Sequence, residues 1–236
     1  MRLRCATFNV LADAYLGYGD YDHVTPSLLK PRARLPHLLR CIASLDADIV
    51  GLQEAELPLV AALEETGDWH VFWSQKDGNG RDKPDGCVLL TRPELYATNF
   101  KVHTFRDDSG HIMQSVTVYG VTFVNTHIKW PPDGVGVYQM RELLQQLGDV
   151  SRAVIFGDCN DSPGGMVREH VLANNFSMVV PESVPTALVN GQMYPLDIIA
   201  VRGVVGDYIA TDFSPRDIPN ELCPSDHIPV LADIEV

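Results

Sequence analysis

The 236-residue sequence has no stretch apolar enough to span a bilayer. Residues 109 to 128 carry no Asp, Glu, Lys or Arg, yet His111, Gln114, Ser115, Asn125 and His127 interrupt them. Positive charge is also scarce: 18 Lys and Arg against 31 Asp and Glu leave a net charge of −13, so the surface as a whole repels phosphate backbones. Extended binding to duplex nucleic acid is thereby disfavoured. The basic residues that do cluster, Lys30, Arg32 and Arg34, then Lys76, Arg81 and Lys83, read as solvated faces before they read as substrate contacts. The five cysteines (Cys5, Cys41, Cys87, Cys159, Cys223) form an odd set with no C-x-x-C pair, which argues against a disulfide framework and a thiolate zinc site. Reduced, buried thiols are expected instead. No repeat, low-complexity tract or linker interrupts the chain, and "MRLRCATFNVL" carries no small-residue cleavage site, so it reads as a first strand. One domain over 1–236, in a cytoplasmic monomer away from membranes, is the expectation.

What is present is a mixture of two periodicities. Leu35, Leu38, Leu39, Ile42 and Leu45 share one helical face, with Pro36 tolerable in the first turn. "ADIVGLQEAE" is a short branched run that predicts a strand ending at Glu54, with a second helix at about 56 to 66. "WHVFWS", "GCVLLT", "IMQSVTVY" and "VTFVNTH" predict strands, the last two as a hairpin turned at Tyr119-Gly120. Val137, Met140, Leu143, Leu144 and Leu147 define another helix, "RAVIF" a buried strand, and "LDIIAVR", "VVGDYIA" and "PVLADIEV" three more. Too many hairpin-like connections occur for a doubly wound parallel sheet, so the fold class is α+β and layered.

Several strands finish in residues that an apolar core should avoid: Asn9, Glu54, Asn125 and His127, Asp158 and Asn160, Asp197, and the Asp226-His227 pair. A buried carboxylate is costly unless it is paired, hydrogen-bonded or bound to a metal. Singly, each has an ordinary explanation. Asp158 and Asn160 suit an Asx turn before Pro163, Glu54 suits a helix start, and His127 or His227 suits a satisfied core imidazole. The ordered set weighs against that, because a fixed three-position pattern such as G-D-x-N arises by chance only about 0.03 times in a chain this long.

The series "TFN", "LQE", "NTHI", "GDCN", "LDII", "SDH", running from residue 7 to residue 227, resembles the endonuclease/exonuclease/phosphatase superfamily. "FNVLADAY" with Arg34, "DADIVGLQEAE", "DGCVLL", "NTHIKWPP" and "CPSDHIPVLADIEV" are most similar to the branch of nocturnin, the carbon-catabolite-repression deadenylases, Angel proteins and the 2′-phosphodiesterase. Pro31 departs from the aromatic that this branch often places three residues before the arginine, and the loops are short, which bears on substrate choice.

The resemblance implies a four-layer α/β/β/α sandwich of the deoxyribonuclease-I-like kind, two mixed, mainly antiparallel sheets face to face with helices outside. It implies a divalent-metal phosphodiesterase acting by in-line water attack on the 3′ end of single-stranded RNA or on a small nucleotide. Glu54 would hold the metal with Asn9 beside it and Asp226 as a further ligand or a supporting residue behind one. Asp158 would orient or deprotonate the water, Asn160 would position it, His227 polarised by Asp197 would stabilise developing charge, and His127 would hold the phosphate from another side. Oxygen ligands without thiolates suit Mg²⁺, or Mn²⁺, as one ion or two. Asn125, Lys129 and Trp130 are the expected substrate contacts, the tryptophan by stacking on a base or else as a loop residue braced by Pro131 and Pro132. The competing readings are a phosphomonoesterase or lipid-headgroup phosphodiesterase on the same fold, and a binding module without catalysis.

Overall fold

The computed structural model describes residues 1–78, 81–130 and 134–236, with nothing said of the side chains of residues 81–83. Strands β1 (Arg2–Asn9) and β2 (Ile49–Glu56) run parallel, and between them lies α1 (Leu35–Ser44). Helix α2 (Leu57–Thr66) follows, then β3 (His70–Gly78), β4 (Arg81–Thr91) and β5 (Thr98–Thr104). The hairpin β6 (Ile112–Val118) and β7 (Val121–His127) precedes α3 (Val135–Leu147), β8 (Ala153–Asp158) and α4 (Met166–Ala173). The last third holds β9 (Ser177–Met178), a small hairpin β10 (Ala187–Val189) and β11 (Gln192–Tyr194), then β12 (Asp197–Arg202), β13 (Val205–Ile209) and β14 (Val230–Glu235).

Two six-stranded sheets result, in the orders β13-β14-β1-β2-β4-β3 and β5-β6-β7-β8-β12-β9. Each contains a single parallel pair, β1/β2 in one and β7/β8 in the other, and is otherwise antiparallel. Strand alternation sorts the apolar residues into layers. On β1, Ala6 and Phe8 face α1 and α2, whereas Leu3 and Cys5 face the second sheet. On β8, Ala153 and Ile155 face α3 and α4, whereas Val154 and Phe156 meet the first sheet. The order is therefore helices, sheet, sheet, helices, as the sequence resemblance implies. All five cysteines are buried and free. No described helix is long and apolar enough to cross a membrane.

The sheets approach most closely beside the parallel pairs. At Gly51 a Cβ would lie 2.2 Å from the Phe156 ring and 2.8 Å from Asn125 Oδ1, so β2 needs glycine there. Beneath the polar strand ends, Gln53 Nε2 donates to Thr7 Oγ1 (3.0 Å) and Asn125 Oδ1 (2.7 Å), and Asn125 Nδ2 donates to Leu52 O and Val88 O. This fully satisfied buried network ties the sheets together in one register.

Candidate active site

The C-terminal ends of the two parallel pairs converge. Asn9 closes β1, Glu54 lies near the end of β2, His127 closes β7 and Asp158 closes β8, with Asp197 opposite Asp158 at the start of β12. Odd-numbered β7 positions and even-numbered β8 positions face the first sheet, so His127 and Asp158 emerge at its edge. Glu54 reaches the same place by a different device. Val50 and Leu52 face the outer helices, and regular alternation would send Glu54 with them. A bulge between Leu52 and Ala55, with Glu54 at φ +58°, turns it to the cleft instead.

One open cleft of about 450 Å³ is lined by Asn9, Glu54, Asp226, Asp158, Asn160, His127 and His227. Lys129 and Trp130 stand on its wall, the tryptophan 50% exposed. Pro131 and Pro132, the expected brace for Trp130, lie outside the described residues, as do the side chains of Arg81 and Lys83. Asn125 requires a correction: it is fully buried and its amide is committed to the tie between the sheets, so it supports the site from beneath and does not face substrate. Arg34 and Lys76 are not solvated either. Arg34 clasps Val10 O, Leu11 O, Pro224 O and Asp13, holding the loops after β1 and before β14.

Asn9 bridges the two halves of the site. Its Nδ2 donates to Glu54 Oε1 and to Asp158 Oδ2, each at 3.0 Å. Glu54 Oε2 also accepts the Ala12 N–H at 3.0 Å. Burial raises the pKa of Glu54; Lys76 opposes that shift and Asp226 adds to it. Two carboxylates that repel one another across a cleft, with amide oxygens near and no thiolate among the lining residues, fit a hard divalent cation. Asp226 also accepts the Tyr21 hydroxyl at 2.8 Å.

In the other half, Asp197 Oδ2 is 2.8 Å from His227 Nδ1, and His227 Nε2 is 3.6 Å from Asp158 Oδ2. Asp158, Asp197 and His227 present ligand-type atoms within 4.8 Å of one another. The short Asp197–His227 contact uses those two atoms for each other as a hydrogen-bonded pair. Burial alone would lower the pKa of His227, but Asp197, Asp158 and Asp226 outweigh it and hold the imidazolium well above its ordinary range. Burial pushes Asp158 up to about 7, against the pull of His227 and with Asp197 adding to the rise. Asp158 Oδ1 accepts the Asn160 N–H at 2.9 Å with Asn160 at φ +50°, so the Asx turn and the clustered site are one feature. Asp161 accepts the Arg168 N–H in the first turn of α4. Gly157, at φ +151°, leaves no room for a Cβ, which would lie 1.9 Å from Thr126 O.

Sequence reasoning missed the group behind His127. Lys76, 2% exposed, is 2.6 Å from Asp85 Oδ2 and 3.1 Å from His127 Nδ1, and the Tyr15 hydroxyl donates to Asp85 Oδ1 at 2.6 Å. The available signal was Asp85 standing directly before the fully buried run "GCVLL".

Residues 6–227 match the model of the Endonuclease/Exonuclease/phosphatase family, and the chain belongs to that family as a hydrolytic phosphoesterase. It is 21% identical to carbon catabolite repressor protein 4 homolog 4 of Arabidopsis thaliana over 100% of this chain and 78% of that one. It is 24% identical to protein angel homolog 2 of Homo sapiens over 79% of this chain, spanning only 39% of that longer relative. Among solved structures, ANGEL2, a 2′,3′-cyclic phosphatase in complex with adenosine-2′,3′-vanadate, superposes with TM-score 0.84 at 18% identity, covering 99% and 95% of the two chains. The human Nocturnin catalytic domain with bound sulfate gives 0.78 at 20% identity, covering 99% and 93%.

Proposed function

We propose that the chain acts as a single catalytic unit, a cytosolic monomer that hydrolyses phosphodiester bonds at the 3′ end of single-stranded RNA or in a small nucleotide. What supports this reading is that one cleft is lined by Glu54, Asn9 and Asp226, which would hold the cation, and by Asp158 and His227, which would handle the proton and the developing charge, with Asp197 buried behind His227. A bound Mg²⁺ or Mn²⁺ would neutralise charge on the phosphoryl oxygens. The chain's own residues supply the rest. Asp158, whose carboxyl is held near neutrality, takes the proton of an attacking water. Asn160, fixed by the Asx turn, positions that water and the phosphate. His227, kept cationic by Asp197, stabilises the charge that develops in the transition state. Lys129 and Trp130 offer the wall a charge and a stacking face for the adjoining nucleotide.

A 2′,3′-cyclic phosphate end is one concrete candidate, since the ANGEL2 structure carries a vanadate analogue of it. A panel of oligoadenylate, RNA with 2′,3′-cyclic phosphate ends, 2′-5′ linkages, NADP and sphingomyelin tests the proposal with Mg²⁺ and Mn²⁺. Turnover of a nucleotide-based substrate is expected. Turnover of sphingomyelin alone would establish the headgroup reading, and no turnover of any with either metal would leave a binding module.

A further inference from the structure

Past Glu54 and Asp226 the cleft continues into a side lobe of about 250 Å³ that the chemistry described so far does not use. Tyr15, Tyr18 and Tyr21 line it from the segment between β1 and α1, and Leu188 and Val189 from the β10–β11 hairpin. Both walls are fixed. The Tyr15 hydroxyl donates to Asp85 at 2.6 Å and the Tyr21 hydroxyl to Asp226 at 2.8 Å. The hairpin is tied to the chain around His227 by Leu188 N–H to Asp226 O at 2.8 Å and by Ile228 N–H to Thr186 O at 2.7 Å. Tyr18 stands on the rim shared by lobe and cleft and is 84% exposed. Its ring lies 6.1 Å and 55° from that of Tyr15, a contact that leaves most of it in solvent, so it does little for the fold. The charged residues on the lining of the lobe, Asp20, Glu54 and Asp226, are all acidic. That lining disfavours a second phosphate and suits an uncharged aromatic group such as a base.

In-line displacement fixes which part of a substrate can reach this lobe, because the attacking and leaving oxygens lie on opposite sides of phosphorus. Glu54 and Asp226 border the lobe, whereas Asp158 and His227 line the main cleft alone. With the water at Asp158, the leaving oxygen faces away from it, towards the lobe. We propose that the tyrosine lobe is the subsite of the leaving nucleoside, whose base stacks on Tyr18, so that the preferred substrate carries a nucleoside on each side of the scissile phosphate, one at Trp130 and one at Tyr18. At the 3′ end of RNA the bond from the water oxygen to phosphorus forms as the bond from phosphorus to O3′ of the penultimate nucleoside breaks. That oxygen leaves with the bonding pair and takes a proton from solvent, and the terminal nucleotide departs as a 5′-monophosphate. The direction of attack rests on the hydrolytic reading above; the stacking of a base on Tyr18 does not.

Two readouts separate the subsite from the chemistry. The first is the calorimetric affinity of the Mg²⁺-loaded protein for two hydrolysis-resistant probes, adenylyl-3′,5′-adenosine with a phosphorothioate link and adenosine 5′-O-methyl phosphorothioate, which lacks the second nucleoside. The parent should bind the dinucleoside roughly 10- to 100-fold more tightly, the size of one base–aromatic stack. Tyr18→Ala should erase that difference and Tyr18→Phe should keep it; so exposed a side chain can be removed without unfolding the chain. The second readout is kcat/KM on the oxygen forms of the same two compounds, which Tyr18→Ala should lower by a similar factor for the dinucleoside alone. Equal affinity of the parent for the two probes, or an unchanged preference in Tyr18→Ala, overturns the subsite and leaves the hydrolytic reading standing. A Tyr18→Ala protein impaired equally on both compounds overturns it too, because Tyr18 would then act on the part that they share. A preference that depends on Tyr18 without turnover of either compound overturns the leaving-group assignment together with the hydrolytic reading, and leaves a base-binding site.

Discussion

Asp197 sits at 2.8 Å from His227 with both side chains buried, and its other carboxylate oxygen, Oδ1, has no hydrogen-bond partner among the described residues. Such a carboxylate is retained for what it does to its neighbour, here holding the ring and favouring the imidazolium. Asp197→Asn should lower kcat on the order of 10² to 10³ with little change in KM. Combined with His227→Ala the losses should be non-additive, because either change disables the same pair; a double-mutant cycle on kcat with fully additive effects would separate Asp197 from the mechanism. The cation half makes its own claim. Glu54→Ala should weaken Mg²⁺ binding in calorimetry and leave the metal-free protein at least as stable as the parent, since it removes a buried carboxylate that Asp226 repels. A variant that binds Mg²⁺ as tightly as the parent would move the ligand elsewhere.

The elements explain which parts of this site could be read from the chain. Helix α1, helix α3 and the β6–β7 hairpin fall where the apolar spacing places them, because each buries one regular face. Strand β5 was invisible: as an exposed edge strand it buries almost nothing and so shows no alternation. Helix α4 was missed for a related reason, eight residues carrying a narrow buried face. Among these residues, Asp158, Asn160, Asp197 and His227 were legible as polar groups at the margins of apolar runs, the first two at and after the end of β8, Asp197 at the start of β12 and His227 before β14. The direction in which Glu54 points was not, because it depends on a bulge that breaks the strand period. Asn125 misled for the converse reason, its polarity serving contact between sheets, and Lys76 was read as surface because burial of a lone lysine depends on a partner nine residues away. The close approach at Gly51 gives an element-scale prediction. Gly51→Ala should destabilise the fold by about 1–3 kcal/mol through overpacking against Phe156, seen as a lower denaturant midpoint at unchanged slope. An unchanged midpoint would mean the sheets can part at no expense.

For the whole molecule, the net charge of −13 and the buried carboxyls set how the protein responds to pH, salt and metal. In the metal-free protein the folded state binds protons more tightly than the unfolded chain at Asp158, Glu54 and His227, because all three pKa values are raised by folding. Stability from that preference is therefore complete below the unfolded carboxyl value and is lost as pH rises through about 7, where Asp158 ionises. The melting temperature of chelated protein should fall between roughly pH 5 and 8, and Mg²⁺ should restore it at the upper end by compensating the charge. A chelated protein whose stability rises over that range would contradict these shifts. The same acidity should keep duplex DNA a poor substrate at physiological salt, with degradation of a duplex as fast as of single-stranded RNA the contrary result. The central claim, that a cation held at Glu54 makes this cleft a phosphoester hydrolase, is tested most directly by the initial rate on the best nucleotide substrate against free Mg²⁺, starting from exhaustively chelated protein. The account predicts no turnover without the ion, saturable recovery as Mg²⁺ is added, and a Glu54→Gln variant that needs far more Mg²⁺ or never recovers. Full activity after chelation, or a Glu54→Gln protein with the parent's Mg²⁺ dependence, would contradict it.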